Sequence, residues 1–133
     1  MPDKIFIDSN IVIYAISQAS SKAHLAAPLF VGSPSISTQV LSETANVASK
    51  RLGLSVSEVR KLISSLEAMC TVEIITVTTL YKALDVRERY GFSWYDSLIV
   101  ASALSAGCHR LYSEDMQHGQ LIDSQLSVIN PFL

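Results

Sequence analysis

Four acidic residues, Asp8, Glu43, Asp96 and Asp115, stand where carboxylates could share one task. Asp8 directly follows the apolar run Lys4 to Ile7, and Asp115 follows the run Leu111 to Ser113 by two residues. Glu43 lies about one turn into a helical pattern that opens at Thr38, and Asp96 lies in the first turn after Ser93. Each also has a structural reading. Asp8 and Asp115 suit caps, Ser93 and Asp96 match the S-x-x-[DE] capping box, and Glu43 suits a solvated helix surface. No lysine or arginine stands within two residues of any of the four. Uncompensated carboxylates brought together repel one another, and a hard divalent cation is the usual means of holding them. Mg²⁺ or Mn²⁺ on carboxylates and water suits phosphate chemistry, because the ion activates a water and steadies phosphate oxygens.

The elements around these residues decide whether they can meet. Lys4 to Ile7 reads as a strand, and Asp8-Ser9-Asn10 as a turn into a helix. A second helix is expected from Ser21 to about Phe30, and a short strand over Ser35 to Ser37. From Thr38 to Leu52, Leu41, Ala45, Ala48 and Leu52 predict one apolar helix face, stopped by Gly53. Ser55 and Glu58 form a capping box ahead of Val59, Leu62, Ile63 and Leu66. Val72 to Val77 reads as a strand, then a helix capped by Thr78 or Thr79 carries Leu80, Ala83, Leu84 and Val86 to Gly91. Ser93 to Ala106 is apolar almost all round at Leu98 to Ala101, which predicts a buried central helix ending at Gly107. Leu111 to Ser113 and Ser127 to Ile129 read as strands. Strands alternating with helices predict an α/β domain on a mainly parallel sheet covered on both faces. In such sheets ligands bind beyond the carboxyl ends of the strands, which is where all four acids fall.

At 133 residues the chain is expected to form a single domain, residues 1–133. Hydrophobic residues make up 49% and charged ones 17%, which excludes disorder. The longest stretch without a charge or histidine, Leu25 to Ser42, contains Pro28, Gly32, Pro34 and four serines, so no membrane span is expected. Cys70 and Cys108 stand far apart without metal-ligand spacing and read as buried free thiols. The first eight residues lack a leader's apolar region, and with the cysteines they predict a cytoplasmic protein. No GxxxxGK[ST], GxGxxG or GxSxG motif occurs, which removes the common nucleotide-binding and serine-hydrolase classes. His24, His109 and His118 have no HExxH spacing, and only His118 lies near a proposed acid. A phosphatase using Asp8 as nucleophile would need a second Asp two residues on, where this chain has Asn10.

Phe6-Ile7-Asp8-Ser9-Asn10, the mid-chain Glu43, Trp94-Tyr95-Asp96-Ser97-Leu98-Ile99-Val100-Ala101 and Ser113-Glu114-Asp115-Met116-Gln117-His118-Gly119 resemble the PIN domain. The likeness is closest to bacterial toxins of the VapC type and spans nearly the whole chain, ending with Ile129-Asn130-Pro131-Phe132. It implies a three-layer α/β/α sandwich and Mg²⁺- or Mn²⁺-dependent hydrolysis of RNA phosphodiesters to 5′-phosphate and 3′-hydroxyl ends. The family's acidic site falls on Asp8, Glu43, Asp96 and Asp115. Asp8, Asp96 and Asp115 would position the metal, with Glu43 a ligand or a partner of the attacking water. Ser9 and Asn10 match the family's polar pair after the first Asp, and Asn10 would orient Asp8 or the turn. Glu114 competes with Asp115 for the metal-facing role, and Asp115 is the one that matches. The resemblance also implies a cognate antitoxin protein and a homodimer. The alternative is a non-catalytic RNA- or protein-binding PIN module whose carboxylates hold a structural ion.

Net charge, −2 from ten basic and twelve acidic residues, does not by itself suggest a nucleic-acid partner. Without the four proposed ligands, eight acids face ten bases, so the rest of the chain is mildly basic. Lys50-Arg51, Arg60-Lys61 and Arg87 with Arg89 read as solvated helix faces or as contacts to RNA phosphates. Trp94 suits core or interface, and Tyr95 suits either packing or base stacking.

Overall fold

Residues 3–17 and 20–133 are described in the computed structural model. Met1 and Pro2, the start of the segment read above for a leader, lie outside the described residues. The order is β1 (Ile5–Ile7), α1 (Ser9–Ile16), α2 (Ala23–Ala26) with a 3-10 turn (Ala27–Phe30), β2 (Ser35–Ser37), α3 (Thr38–Lys50) and α4 (Val56–Met69). Then follow β3 (Thr71–Glu73), α5 (Val77–Tyr90), α6 (Trp94–Ser105), β4 (Arg110–Tyr112), β5 (Leu121–Ile122) and β6 (Leu126–Ile129).

The strands form one sheet in the order β3-β2-β1-β4-β6-β5, parallel throughout except for β5 against β6. The chain first steps outward from β1 to β2 to β3, then returns to place β4 on the other side of β1. Right-handed crossovers in opposite directions put their helices on opposite faces of a sheet. Accordingly α1 packs on α2 and α3, α3 packs on α4, and α5 packs separately on α6. The result is a three-layer α/β/α sandwich. Phe6, Ile7, Ile36, Leu111 and Val128 of the central strands are fully buried, as expected of a sheet covered on both sides. The α6 segment from Ser97 to Leu104 is buried at every position, matching its apolar pattern.

The switch in strand direction falls between β1 and its neighbours, the place where such sheets open a cleft for ligands. Register brings Ile7 level with Tyr112, so Asp8 and Ser113 leave adjacent strands side by side.

Several expectations are corrected. The strand expected to reach Val77 stops at Glu73, and the next helix is capped by Thr76 rather than Thr78 or Thr79. Thr76 and Thr79 cap reciprocally there, a stronger local preference than the β-branched run. The buried line of α3 is Val40, Thr44 and Ala48; Leu52 is exposed. Of the apolar residues expected on α5, Ala83 and Val86 are buried as read, joined by Thr79, while Leu80 and Leu84 are exposed. The short β5 was not foreseen. Its hairpin turn is Asp123-Ser124, both at positive φ, without the Asn-Gly or Asp-Gly pair that signals this turn. Cys70 and Cys108 are free and buried. Among the described residues no helix is long and apolar enough to cross a membrane.

Candidate functional site

Asp8 ends β1 and caps α1, its Oδ1 accepting from the Ser9 amide at 2.7 Å. Its Oδ2 accepts from Ser113 Oγ at 2.9 Å across the β1–β4 seam. Asp8 is only 4% exposed, and burial raises its carboxyl from 3.8 to about 6 against the lowering effect of those two hydrogen bonds. Glu43 and Asp115 raise it further by repulsion. Being a helix cap and being a site carboxylate are therefore compatible in Asp8.

Glu43 comes from the second turn of α3, whose start is set by Ser37 capping Val40 N. Its Oε1 accepts from Ser9 Oγ and from Gln39 Nε2, each at 3.3 Å. Burial raises its pKa, with Asp96 and Asp115 adding to the shift. Asp96 sits in the first turn of α6, its amide bonded to the Ser93 hydroxyl at 3.2 Å. Burial raises its pKa too, and Asp115 contributes. Asp115 lies in the loop after β4, its Oδ2 held by Asn10 Nδ2 at 2.9 Å and its amide by Ser113 Oγ at 3.3 Å.

The four carboxylates thus sense one another electrostatically from four separate elements, and none of them forms an ion pair among the described residues. Glu114 behaves differently. It is bound by Lys22 and by Tyr14 Oη, and Lys22 holds it below the usual carboxylate value. Of the two neighbours, it is Asp115 whose charge is felt by Asp8, Glu43 and Asp96. Lys22 also rests over the rings of Tyr14 and Phe132.

The Asn10 side-chain amide donates to Asp115 and accepts from the Glu114 amide; of the two roles expected for it, orienting Asp8 or the turn, neither bond goes to Asp8. Ser9 bridges Asp8 and Glu43. His118 accepts from Asn130 N and so ties down the C-terminal segment. Trp94 packs against Ala83, Leu98 and Ala101, while Tyr95 is exposed. Two supporting residues escaped the sequence reading. Ser113 lies 105 positions from Asp8, so only the pairing of β4 with β1 reveals it. Gln39 stands four residues before Glu43, a spacing that puts both on one helix face and was available as a signal.

Among the described residues no group of three or more acidic, histidine or cysteine side chains is placed to hold a metal ion. The donor set nevertheless fits Mg²⁺ or Mn²⁺, since Mg²⁺ commonly takes one or two carboxylates and keeps several waters. Three carboxylates with pKa values raised by burial and mutual repulsion are the kind of site that a divalent cation relieves.

A family model described as the PIN domain matches residues 5–121. Among solved structures, a toxin–antitoxin complex from Klebsiella pneumoniae has a similar chain, with a TM-score of 0.75 at 19% identity over 96% of this chain and 98% of that one. DNA-bound VapBC from Salmonella typhimurium gives 0.70 at 17% identity over 96% and 97%. VapC20 of Mycobacterium tuberculosis, a sarcin-ricin loop cleaving toxin, gives 0.69 at 20% identity over 84% and 90%. At these identities the likeness is one of fold. A search of curated proteins finds no match.

Proposed function

The chain belongs to the PIN domain family, and from that premise we propose that it is a metal-dependent endoribonuclease, the toxin of a toxin–antitoxin pair acting in the cytoplasm. The observation that carries this reading is the meeting of Asp8, Glu43, Asp96 and Asp115 at the carboxyl edge of the sheet, with no ion pair to any of them among the described residues. Asp8, Asp96 and Asp115 would hold Mg²⁺ or Mn²⁺. When bound, such an ion lowers the pKa of a water and offsets phosphate charge.

The remaining groups have definite tasks. Ser9 and Gln39 both donate to Glu43 Oε1, and among the described residues no donor reaches Oε2, which would accept a proton from the attacking water. Burial raises the basicity of that carboxylate, as proton abstraction requires. Ser9 and Ser113 fix Asp8, and Asn10 fixes Asp115, so substrate meets carboxylates already oriented. Partner surface is supported by Ile74, Val77, Tyr81 and Leu84, exposed apolar side chains on and just before α5. A second copy of the chain and an antitoxin are the partners this reading expects; the neighbours from Klebsiella pneumoniae and Salmonella typhimurium are toxin–antitoxin assemblies.

The decisive experiment is cleavage of RNA by the purified chain in Mg²⁺ or Mn²⁺, compared with Asp8→Asn and Asp96→Asn. Each change is expected to lower the rate by at least about a hundredfold, the usual worth of a positioned charge-stabilising or proton-transfer group. Growth arrest on expression should disappear with it. Cleavage and toxicity that survive both substitutions would leave only the non-catalytic binding module.

A further inference from the structure

Beside Glu43 lies an open cavity of about 400 Å³, lined by Gln39, Ser42, Glu43 and Asn46 of α3 and by Tyr95 of α6. Positions 39, 42, 43 and 46 fall at the spacing of a single helix face, so a carboxylate of the proposed site forms part of the cavity wall. Tyr95 directly precedes Asp96 and is 64% exposed. It belongs to neither hydrophobic cluster and stacks on no aromatic ring among the described residues. Gln39 connects the two walls: its Nε2 donates to Glu43 Oε1 at 3.3 Å and to the Tyr95 carbonyl at 3.2 Å. Its Oε1 is buried and has no donor among the described residues.

The chemistry of this lining is selective. A phosphate would meet Glu43 and no cation, and an apolar side chain would leave the amides of Gln39 and Asn46 and the Ser42 hydroxyl unsatisfied. A nucleobase is flat, uncharged and edged with donors and acceptors, which matches an exposed phenol ring beside two primary amides. The volume lies within the roughly 300–1,000 Å³ of ordinary small-molecule sites. We propose that this cavity receives an unpaired nucleobase of the RNA strand whose phosphodiester lies at the four carboxylates, with the base stacked on Tyr95 and its edge read by Asn46. The assignment rests on the nuclease reading and adds a source of sequence preference to it.

The test is cleavage in Mn²⁺ of an unstructured RNA of mixed sequence, with cut positions mapped and kcat/KM measured for the native chain, Tyr95→Ala, Tyr95→Phe and Asn46→Ala. Tyr95→Ala is expected to lower kcat/KM by roughly five- to a hundredfold, the worth of one lost stack, while Tyr95→Phe stays within about twofold. Asn46→Ala should redistribute the cuts among sequences. Both positions are exposed, and thermal melts of each variant separate lost folding from lost recognition. Unchanged kcat/KM and cut sites in Tyr95→Ala and Asn46→Ala overturn the base pocket and leave the nuclease standing. Equal damage from Tyr95→Phe and Tyr95→Ala overturns stacking as the basis. If the native chain cuts no RNA in Mg²⁺ or Mn²⁺, both readings fall.

Discussion

At the scale of single residues, Asp8 carries the sharpest conflict between folding and function. Water would ionise it readily, but the ends of β1 and β4 bury it, and its pKa rises to about 6. The folded protein therefore holds this proton more tightly than the unfolded chain does. The stability linked to protonated Asp8 is complete below pH 3.8 and is lost as pH rises through about 6. A shift of about two units corresponds to roughly 3 kcal/mol at most. Metal-free Asp8→Asn is thus expected to be more stable than the native chain at pH 8 by up to about that amount, with the gap closing near pH 4. Urea titrations across that range check it, and parallel stabilities at all pH values would contradict it. Adding Mn²⁺ should stabilise the native chain and leave Asp8→Asn much less affected, because only the former keeps all the carboxylates proposed to hold the ion. Glu114 offers the contrast. Held by Lys22 and Tyr14, it should tolerate Glu114→Gln with far less loss of cleavage than Asp115→Asn causes, as parallel rate measurements would reveal.

At the scale of elements, helix starts do most of the positioning. Asp8 caps α1, Ser37 caps α3 and Ser93 caps α6, and each puts a carboxylate on or near a first turn. Loss of an N-cap side chain costs about 1 kcal/mol, so Ser93→Ala should lower stability by that much and reduce cleavage by loosening Asp96. Ser93→Thr should restore both. The β5–β6 hairpin carries strain of a different kind, since Asp123 and Ser124 both occupy positive φ. Arg89 and Tyr90 hold Asp123 there. Ser124 has no side-chain hydrogen bond among the described residues, so Ser124→Gly is expected to raise stability by roughly 0.5–1 kcal/mol in a melt. The hairpin escaped the sequence reading because its turn uses Asp-Ser, and a two-residue strand is too short for an alternating pattern to show.

At the scale of the whole molecule, the sheet is what makes one site from four distant segments. Leu111 illustrates the dependence: it is fully buried in β4, beside β1, and touches none of the proposed chemistry directly. Leu111→Ala should cost about 2–5 kcal/mol, a large part of the roughly 5–15 kcal/mol that such a domain possesses. Denaturation should register that loss, while the activity per folded molecule should change far less. The exposed apolar residues along α5 belong to this scale as well. Tyr81→Glu is expected to weaken any self-association seen by sedimentation without altering the melt.

The residue types alone determined much: strands and helices in alternation, the caps, the buried α6 and the four acids at element ends. These are local matters, decided by periodicity and by which side chains can satisfy a helix start. Tertiary structure decided the rest, because burial and long-range pairing are not local. It decided that β1 lies between β2 and β4, and hence that Ser113 bonds Asp8. It decided that Asn10 serves Asp115, and that Lys22 binds Glu114. It rotated α3 so that Val40, Thr44 and Ala48 face the core, leaving Gln39, Glu43 and Asn46 along the cleft. Nor could the sequence tell that desolvation outweighs the hydrogen bonds at Asp8, since the same carboxylate on an open helix cap would stay ionised.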